Sequence, residues 1–269
     1  MTEPIVTQVG DATLYHGDCL EVLPQLSGGG IHMILTDPPF GTTSRNEWDN
    51  VLPMDTIWRE IRRVRTDNAP TLLFSQLPFA ADLIESNRKE YRYDWVYHKG
   101  LALGFLNANR MPMRAHEEIL VFYKRLPKYN PQFTDGEPYF KGWREPNSTD
   151  NYGTDKGRTS DNPDGKRYPH DVLEGFSQQH GYHPTQKPTD LLRYLIRTYT
   201  DEGDTVLDYT MGSGSTCVAA LQEGRKCIGI ELDKNYYDIA VKRCSAVLEN
   251  GDGADRPARH KQSNNKTEE

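Results

Sequence analysis

The chain has 269 residues, of which 26% are charged and 36% hydrophobic, and a formal net charge of −7. That length can bury one large core, an α/β domain with an insertion. No apolar run nears the roughly 18 residues of a membrane span and the start lacks a signal-peptide pattern, so a cytoplasmic protein with no membrane partner is expected.

The four cysteines, Cys19, Cys217, Cys227 and Cys244, form no CxxC pair and no Cys/His metal spacing. This predicts reduced thiols and no metal site. Charge is uneven along the chain. Residues 85–130 carry 9 Lys/Arg against 5 Asp/Glu, whereas residues 1–84 carry 5 against 11 and residues 131–269 carry 18 against 23. A basic middle in an acidic chain leaves room for a local phosphate-binding face.

In chain order, Thr13–His16 reads as a strand running into Gly17-Asp18-Cys19 and a short helix from Leu20 to Leu26. Gly28-Gly29-Gly30 is a joint before the apolar run Ile31–Leu35, a buried strand that ends in Thr36-Asp37-Pro38-Pro39-Phe40. Residues 41–50 are a polar loop carrying Arg45 and Trp48. Met54–Thr66 places Ile57, Trp58, Ile61 and Val64 at helical spacing, with Arg59, Arg62, Arg63 and Arg65 on a solvated face. A strand at Pro70–Ser75, a helix at Pro78–Asn87 and strands at Tyr91–Lys99 and Glu118–Tyr123 follow.

Between the last two lies Leu101–His116, with Asn107, Asn109, Arg110 and Arg114. Residues 125–182 lose hydrophobic periodicity and form an irregular insertion, whose aromatic residues need something to pack against. Order resumes with a helix at Pro188–Tyr199, a strand at Thr205–Asp208, the turn Gly212-Ser213-Gly214-Ser215, a helix at Thr216–Glu223, a strand at Lys226–Glu231 and a helix at Tyr236–Leu248. The tail after Asn250 has a disordered composition.

Two stretches carry chemistry. Proline fixes φ and has no N–H, so Pro38 and Pro39 hold an extended turn rich in hydrogen-bond acceptors beside Asp37. Such a turn suits a planar group bearing an NH₂. Asp37 and the Pro38 carbonyl accept its two hydrogens while Phe40 stacks on its face. The plain alternative is a strand-ending turn with an Asp cap. In the second stretch, strand, glycine turn, helix and strand end on Glu231, about twenty residues after Gly212, where a carboxylate can accept from ribose hydroxyls. Cys217 stands where a dinucleotide fingerprint has its third glycine, which favours a ligand with one nucleoside and no pyrophosphate. Any tight strand-to-helix turn could also use the two glycines.

Together these residues resemble the S-adenosylmethionine-dependent amino-methyltransferases of nucleic acids. Asp37-Pro38-Pro39-Phe40 is similar to their catalytic signature (D/N/S)PP(Y/F/W), and Asp208-Tyr209-Thr210-Met211-Gly212-Ser213-Gly214 stands at their cofactor loop. His183-Pro184-Thr185-Gln186-Lys187-Pro188 resembles the segment before that loop. Gly17–Glu21 resembles the loop beside the cofactor's adenine, and Ala115–Phe122 the strand after the target-base pocket. With the catalytic signature first, the order is that of the circularly permuted β class. In one departure, Tyr209 and Thr210 replace the family's Pro-Phe.

The resemblance implies a Rossmann-like sheet of seven strands, mostly parallel with one antiparallel strand, and a target-recognition insertion. The domains would be 1–124 and 183–249 for the catalytic and cofactor-binding halves, 125–182 for the insertion, and 250–269 for the tail. It implies catalysis by Asp37, Pro38, Pro39 and Phe40 on adenine N6, with cytosine N4 as the near alternative. S-adenosylmethionine would be held by Asp18, Cys19, His183, Thr185, Lys187, Asp208, Thr210, Gly212, Ser213, Gly214, Ser215, Glu231 and Leu232.

DNA would be contacted by Arg45, Trp48, Asn107, Arg110 and Arg114 with the insertion. Partners would be double-stranded DNA, a second copy of the chain and a cognate restriction endonuclease. His16, His98 and His170 are structural on this reading. The carbon-5 cytosine enzymes need an activated Cys in a Pro-Cys context, which none of the four cysteines has. A catalytically silent binding protein and a small-molecule or protein-glutamine methyltransferase are the rivals. The intact motifs speak against the first and the large polar insertion against the second.

Overall fold

The apolar run before Asp37 forms a strand, Met33–Thr36, that is buried at every position, as a strand covered on both faces of a parallel sheet must be. The structure, a computed structural model, describes residues 4–41, 50–149, 153–155, 157–176, 181–182 and 185–250. These divide into one compact unit of residues 1–130 with 171–269 and a second, Pro131–His170. Arg45, Trp48, His183 and the tail from 251 lie outside the described residues.

In the larger unit the elements run β1 (Ile5–Val9), β2 (Ala12–His16), α1 (Cys19–Val22), β3 (Met33–Thr36), α2 (Met54–Val64), β4 (Thr71–Ser75), α3 (Phe79–Ser86), β5 (Tyr91–Leu103) and β6 (Arg114–Phe122). After the second unit, whose described residues hold four short strands, it continues with β11 (Val172–Leu173), α4 (Thr189–Tyr199), β12 (Thr205–Asp208), α5 (Ser215–Gln222), β13 (Lys226–Glu231) and α6 (Lys234–Asn250).

One sheet has the order β1-β2-β13-β12-β3-β4-β6-β5-β11. Its inner seven strands are the expected Rossmann-like sheet, and β6 is the strand antiparallel to both neighbours. The two outermost strands were not foreseen. Ile5–Val9 pairs antiparallel with β2, and Val172–Leu173 adds two residues to the far edge. Strands β5 and β6 also extend beyond Lys99 and Glu118 into a long hairpin closed by a 3₁₀ turn at Phe105–Asn107.

Side chains of β3 alternate between the two faces. Met33 and Leu35 join α4, α5 and α6 in one core, while Ile34 joins α1, α2 and α3 in the other. In α2, Ile57, Trp58, Ile61 and Val64 are buried, the stripe that the spacing predicts. The solvated face predicted for its arginines needs one correction. Arg65 is only 6% exposed and reaches Glu90 at 2.6 Å, because the chain turns inward just past the helix. No helix among the described residues is long and apolar enough to cross a membrane.

The second unit is an antiparallel ladder. Thr134 faces Arg167, Tyr139 faces Asn162, and β7 (Trp143–Arg144) pairs with β10 (Arg158–Thr159), beside the hairpin of β8 (Asn147–Thr149) and β9 (Gly153–Asp155). The Arg167 guanidinium lies over the Tyr139 ring at 5.0 Å. Phe140, Trp143 and Tyr168 are exposed, so these rings are not the packed core that their composition led us to expect. The unit is narrower than 125–182. Asn130 donates to the Arg197 and Thr200 carbonyls, which ties the chain before it to the larger unit.

Burial opposes ionisation of Glu90, but Arg65, helped by Asn87 and Arg62, holds its carboxyl below the usual range. Arg65→Met should therefore cost about 3 kcal/mol, the lower end for a broken buried pair, because Arg62 still reaches Glu90. A depressed folded pKa contributes stability that is lost as pH falls. The deficit, measured by urea unfolding, should thus shrink as pH drops through the glutamate range.

Candidate active site

Asp37 follows β3 and Asp208 ends β12, and these strands are parallel neighbours in register at Val206–Met33 and Leu207–Ile34. From there the chain winds one way through β4 and the other through β13. This is a switch point, where α/β sheets open a crevice at the strands' carboxyl ends. Hydroxyls join the two tips. Thr36 Oγ1 donates to Asp208 Oδ1 at 2.7 Å and lies 2.7 Å from Thr210 Oγ1, which donates to the Asp37 carbonyl at 3.2 Å. The departure from the family pattern at Thr210 thus links the glycine loop to the Asp-Pro-Pro turn. Tyr209, the other departure, is buried beside Cys19 and Ile230. Burial pushes the Asp208 carboxyl up to about 6 against the hydrogen bonds from Thr216, Thr36 and the Thr210 amide.

The loop after β12 is shaped by its glycines and clamped from two sides. Gly212 and Gly214 have φ of 53° and 80°, the left-handed region that glycine enters without strain. A Cβ on Gly214 would also meet the α6 backbone at Ala240 Cα, 3.0 Å away. Glu231 accepts from the Gly212 amide at 2.8 Å through Oε2 and from the Asp233 amide at 2.7 Å through Oε1. On the other side Arg243 of α6, buried, donates to the Ser213 carbonyl, to Ser213 Oγ and to Ser215 Oγ.

Asp18 caps α1 through the Leu20 amide, and the Gly17 amide donates to the Glu231 carbonyl. This brings the Asp18–Cys19 turn to the same cleft. Burial, with the Asp18 charge, pushes the Cys19 thiol up to about 12, so it lines the cleft as an inert apolar group. The resulting cavity of about 390 Å³ runs from Asp18 and Glu231 to Asp37 and Phe40. The Phe40 ring stacks on Phe79 at 5.3 Å.

Lys187 lines the same cavity, and its ammonium pairs with two carboxylates. Its motif assigns it to the cofactor, yet Nζ lies 2.8 Å from Asp37 Oδ2 and 3.1 Å from Glu117 Oε2, and 4.9 Å from the centre of the Phe74 ring. Lys99 pairs with the other oxygen of Glu117 at 2.5 Å. Burial disfavours the charges of Asp37, Glu117 and Lys187. Lys187 and Lys99 nevertheless hold Glu117 below the carboxylate range, and Asp37 and Glu117 raise Lys187. Asp37 is held up, chiefly by burial, with Lys187 opposing. Its Oδ1 is buried and has no hydrogen-bond partner among the described residues.

Thr185 also lines the cavity, and Leu232 reaches its rim with a largely exposed side chain. Asn107, Arg110 and Arg114 stand apart from it on the exposed β5–β6 hairpin. Arg114 donates to Gln76 Oε1 rather than pairing with Glu117 or Glu118. Sequence reasoning missed Lys99, Thr36 and Arg243 and gave Glu117 no role. Only Glu117 had a signal, its place in the segment matched to the family.

A switch-point cleft that ends on an acceptor-rich turn is where an α/β protein of this topology takes its ligand. Residues 31–242 match the family described as DNA methylase, the N6 and N4 methyltransferases, and the chain belongs to that family. It is 32% identical over 238 residues to the protein YubD of Escherichia coli (strain K12), covering 86% of this chain and 89% of that one. Two solved structures share the fold. The complex of M1.HpyAVI with SAM has a TM-score of 0.59 at 22% identity, covering 86% of this chain and 99% of that one. The PvuII cytosine-N4-specific DNA methyltransferase has a TM-score of 0.62 at 18% identity, covering 88% and 87%.

The raised carboxyl of Asp208 makes a prediction about stability. A folded pKa of about 6 against 3.8 means that the folded state holds the proton more tightly. Stability from this group is full below the lower value and is lost as pH rises through the upper one. Asp208→Asn removes that dependence. Between pH 4 and pH 7.5 the variant should gain about 2 kcal/mol relative to the parent chain, read as the difference of two urea titrations.

Proposed function

We propose that the chain transfers a methyl group from S-adenosylmethionine to the exocyclic N6 of an adenine flipped out of double-stranded DNA. The observation that carries this reading is Asp37 Oδ1, a buried acceptor with no hydrogen-bond partner among the described residues, on a turn whose two prolines offer no N–H. A buried acceptor left unsatisfied is costly, and an amine hydrogen would satisfy it.

The cofactor is S-adenosylmethionine, which supplies an electrophilic methyl group on a sulfonium. The cleft fits it: Glu231 has acceptor capacity for ribose hydroxyls, Asp18 and Cys19 border the nucleoside end, and the Gly212–Gly214 backbone allows close approach. The target's exocyclic nitrogen is a weak nucleophile because its lone pair is delocalised into the ring. Asp37 and the Pro38 carbonyl take its two hydrogens, which favours a pyramidal nitrogen and frees the lone pair. Phe40 replaces the stacking partner that the base loses on leaving the duplex. Positioning supplies much of the acceleration.

Asp at the first signature position favours adenine, and the likeness to a cytosine-N4-specific enzyme makes cytosine N4 the second reading. DNA is assigned to Arg45 and Trp48, to Asn107, Arg110 and Arg114 on the exposed hairpin, and to the Pro131–His170 unit for target recognition. Methylome sequencing of DNA from a host expressing the chain should show N6-methyladenine in one sequence context. N4-methylcytosine instead would select the second reading, and neither base would overturn both.

Two substitutions separate the roles. Asp37→Ala should abolish methylation and leave S-adenosylmethionine affinity within a few fold, since Asp37 faces the amine; substantial residual turnover would remove it from catalysis. Glu231→Ala should lose about 1–3 kcal/mol of cofactor affinity. Calorimetric titration of a folded variant checks this, and an unchanged dissociation constant would take Glu231 out of the cofactor site.

A further inference from the structure

Four charges of alternating sign run in a line from the body of the sheet to the Asp-Pro-Pro turn, three of them buried and the fourth, Asp37, with 25% of its side chain exposed. Lys99 of β5 holds Glu117 of β6 at 2.5 Å, Glu117 holds Lys187 at 3.1 Å, and Lys187 holds Asp37 at 2.8 Å. The side chains of Lys99, Glu117 and Lys187 are each 10% exposed or less. Desolvating so many charges is expensive unless each is paired. Lys187 comes from the segment just before α4 and meets two strands and a turn that lie far from it in sequence. Its contact with Phe74 adds a cation–π hold. The pairing is also one-sided: the ammonium occupies Asp37 Oδ2 and leaves Oδ1 bare.

We propose that Lys187 is a positioning residue, fixing Asp37 through Oδ2 so that only Oδ1 presents to the target amine, and that Glu117 and Lys99 set the strength of that hold. The proposal rests on the amine-transfer reading and deepens it. It takes Lys187 away from the cofactor, where its motif alone would place it. An ionised carboxylate is acceptor-only, whereas a protonated one can turn a donor toward the amine. The cation therefore serves geometry and charge together, favouring the ionised carboxylate against its burial and aiming its free oxygen.

The groups around Asp37 act with different signs. Lys187 and Lys99 favour its charge, Glu117 opposes it, and Asp208 at the end of β12 is a further carboxylate coupled to it. Tyr97 of β5 faces Glu117 and Lys187, and burial keeps it neutral, with its value up at about 12. Removing the cation and removing the anion between the two lysines must therefore move the Asp37 titration in opposite directions. A role confined to packing would not produce that pair of shifts.

The test uses the full chain with a DNA substrate that the parent enzyme methylates. In Lys187→Met, kcat at neutral pH should fall by roughly 10²-fold, with the S-adenosylmethionine dissociation constant within about threefold. The acid limb of the kcat profile should move up by about 1–3 pH units. Lys187→Arg should recover part of kcat and return the limb toward its parent position. Glu117→Gln should move the limb down.

The same opposite shifts should appear in ¹³C-carboxyl NMR titration of Asp37, assigned with Asp37→Asn. That measurement needs no turnover, so it stands or falls separately from the amine-transfer reading. Limbs and carboxyl titrations that stay put in folded variants would overturn the proposal. So would a Lys187→Met variant that loses cofactor affinity tenfold or more while the Asp37 titration is unchanged, since that returns Lys187 to the cofactor.

Discussion

Two carboxylates, Asp37 and Asp208, end adjacent parallel strands in a buried cleft, and the fold has to hold both without letting their charges push the tips apart. It does so asymmetrically. Asp208 is surrounded by hydroxyls and a backbone amide, and its own burial pushes its carboxyl up to about 6. Asp37 is given a cation, Lys187. One carboxylate thus serves as a hydrogen-bonded anchor for the glycine loop, while the other pairs with a cation through one oxygen. The Thr36–Thr210 contact joins them, so displacement of the loop reaches the catalytic turn through two hydroxyls.

The cofactor end depends on a second set of braces. Glu231 spans the amides of Gly212 and Asp233, and Arg243 ties Ser213 and Ser215 to α6. The backbone that must approach a nucleoside closely is thereby held by side chains whose hydrogen bonds are already made. A preorganised loop loses less entropy on binding. The glycines make the turn sterically possible, and Glu231 and Arg243 make it rigid.

Much of this was legible in the sequence, for identifiable reasons. Thr205–Asp208 and Lys226–Glu231 are apolar runs bounded by turn residues, and they are strands over those same residues. Glu231 sits nineteen positions from Gly212, within reach of pattern reasoning. Ile5–Val9 escaped because an edge strand with one exposed face has a weak pattern, and Val172–Leu173 because two residues carry none. The pairing of Lys187 was not legible for a deeper reason. Its neighbours in sequence belong to the cofactor motif, but its ion-pair partners lie 150 and 70 residues away, and long-range pairing of charges leaves no local periodicity. Arg243 and Lys99 were missed on the same ground.

The central claim is that the Lys187–Asp37 pairing belongs to the working enzyme and directs one carboxylate oxygen to the amine. A crystal structure of the chain with S-adenosylhomocysteine and a DNA duplex bearing the methylated sequence tests it most directly. The account predicts Lys187 Nζ on Asp37 Oδ2 and the target's exocyclic nitrogen on Oδ1, each at about 3 Å. Lys187 turned onto the cofactor's carboxylate, with Asp37 Oδ2 left to the base or to water, would contradict it.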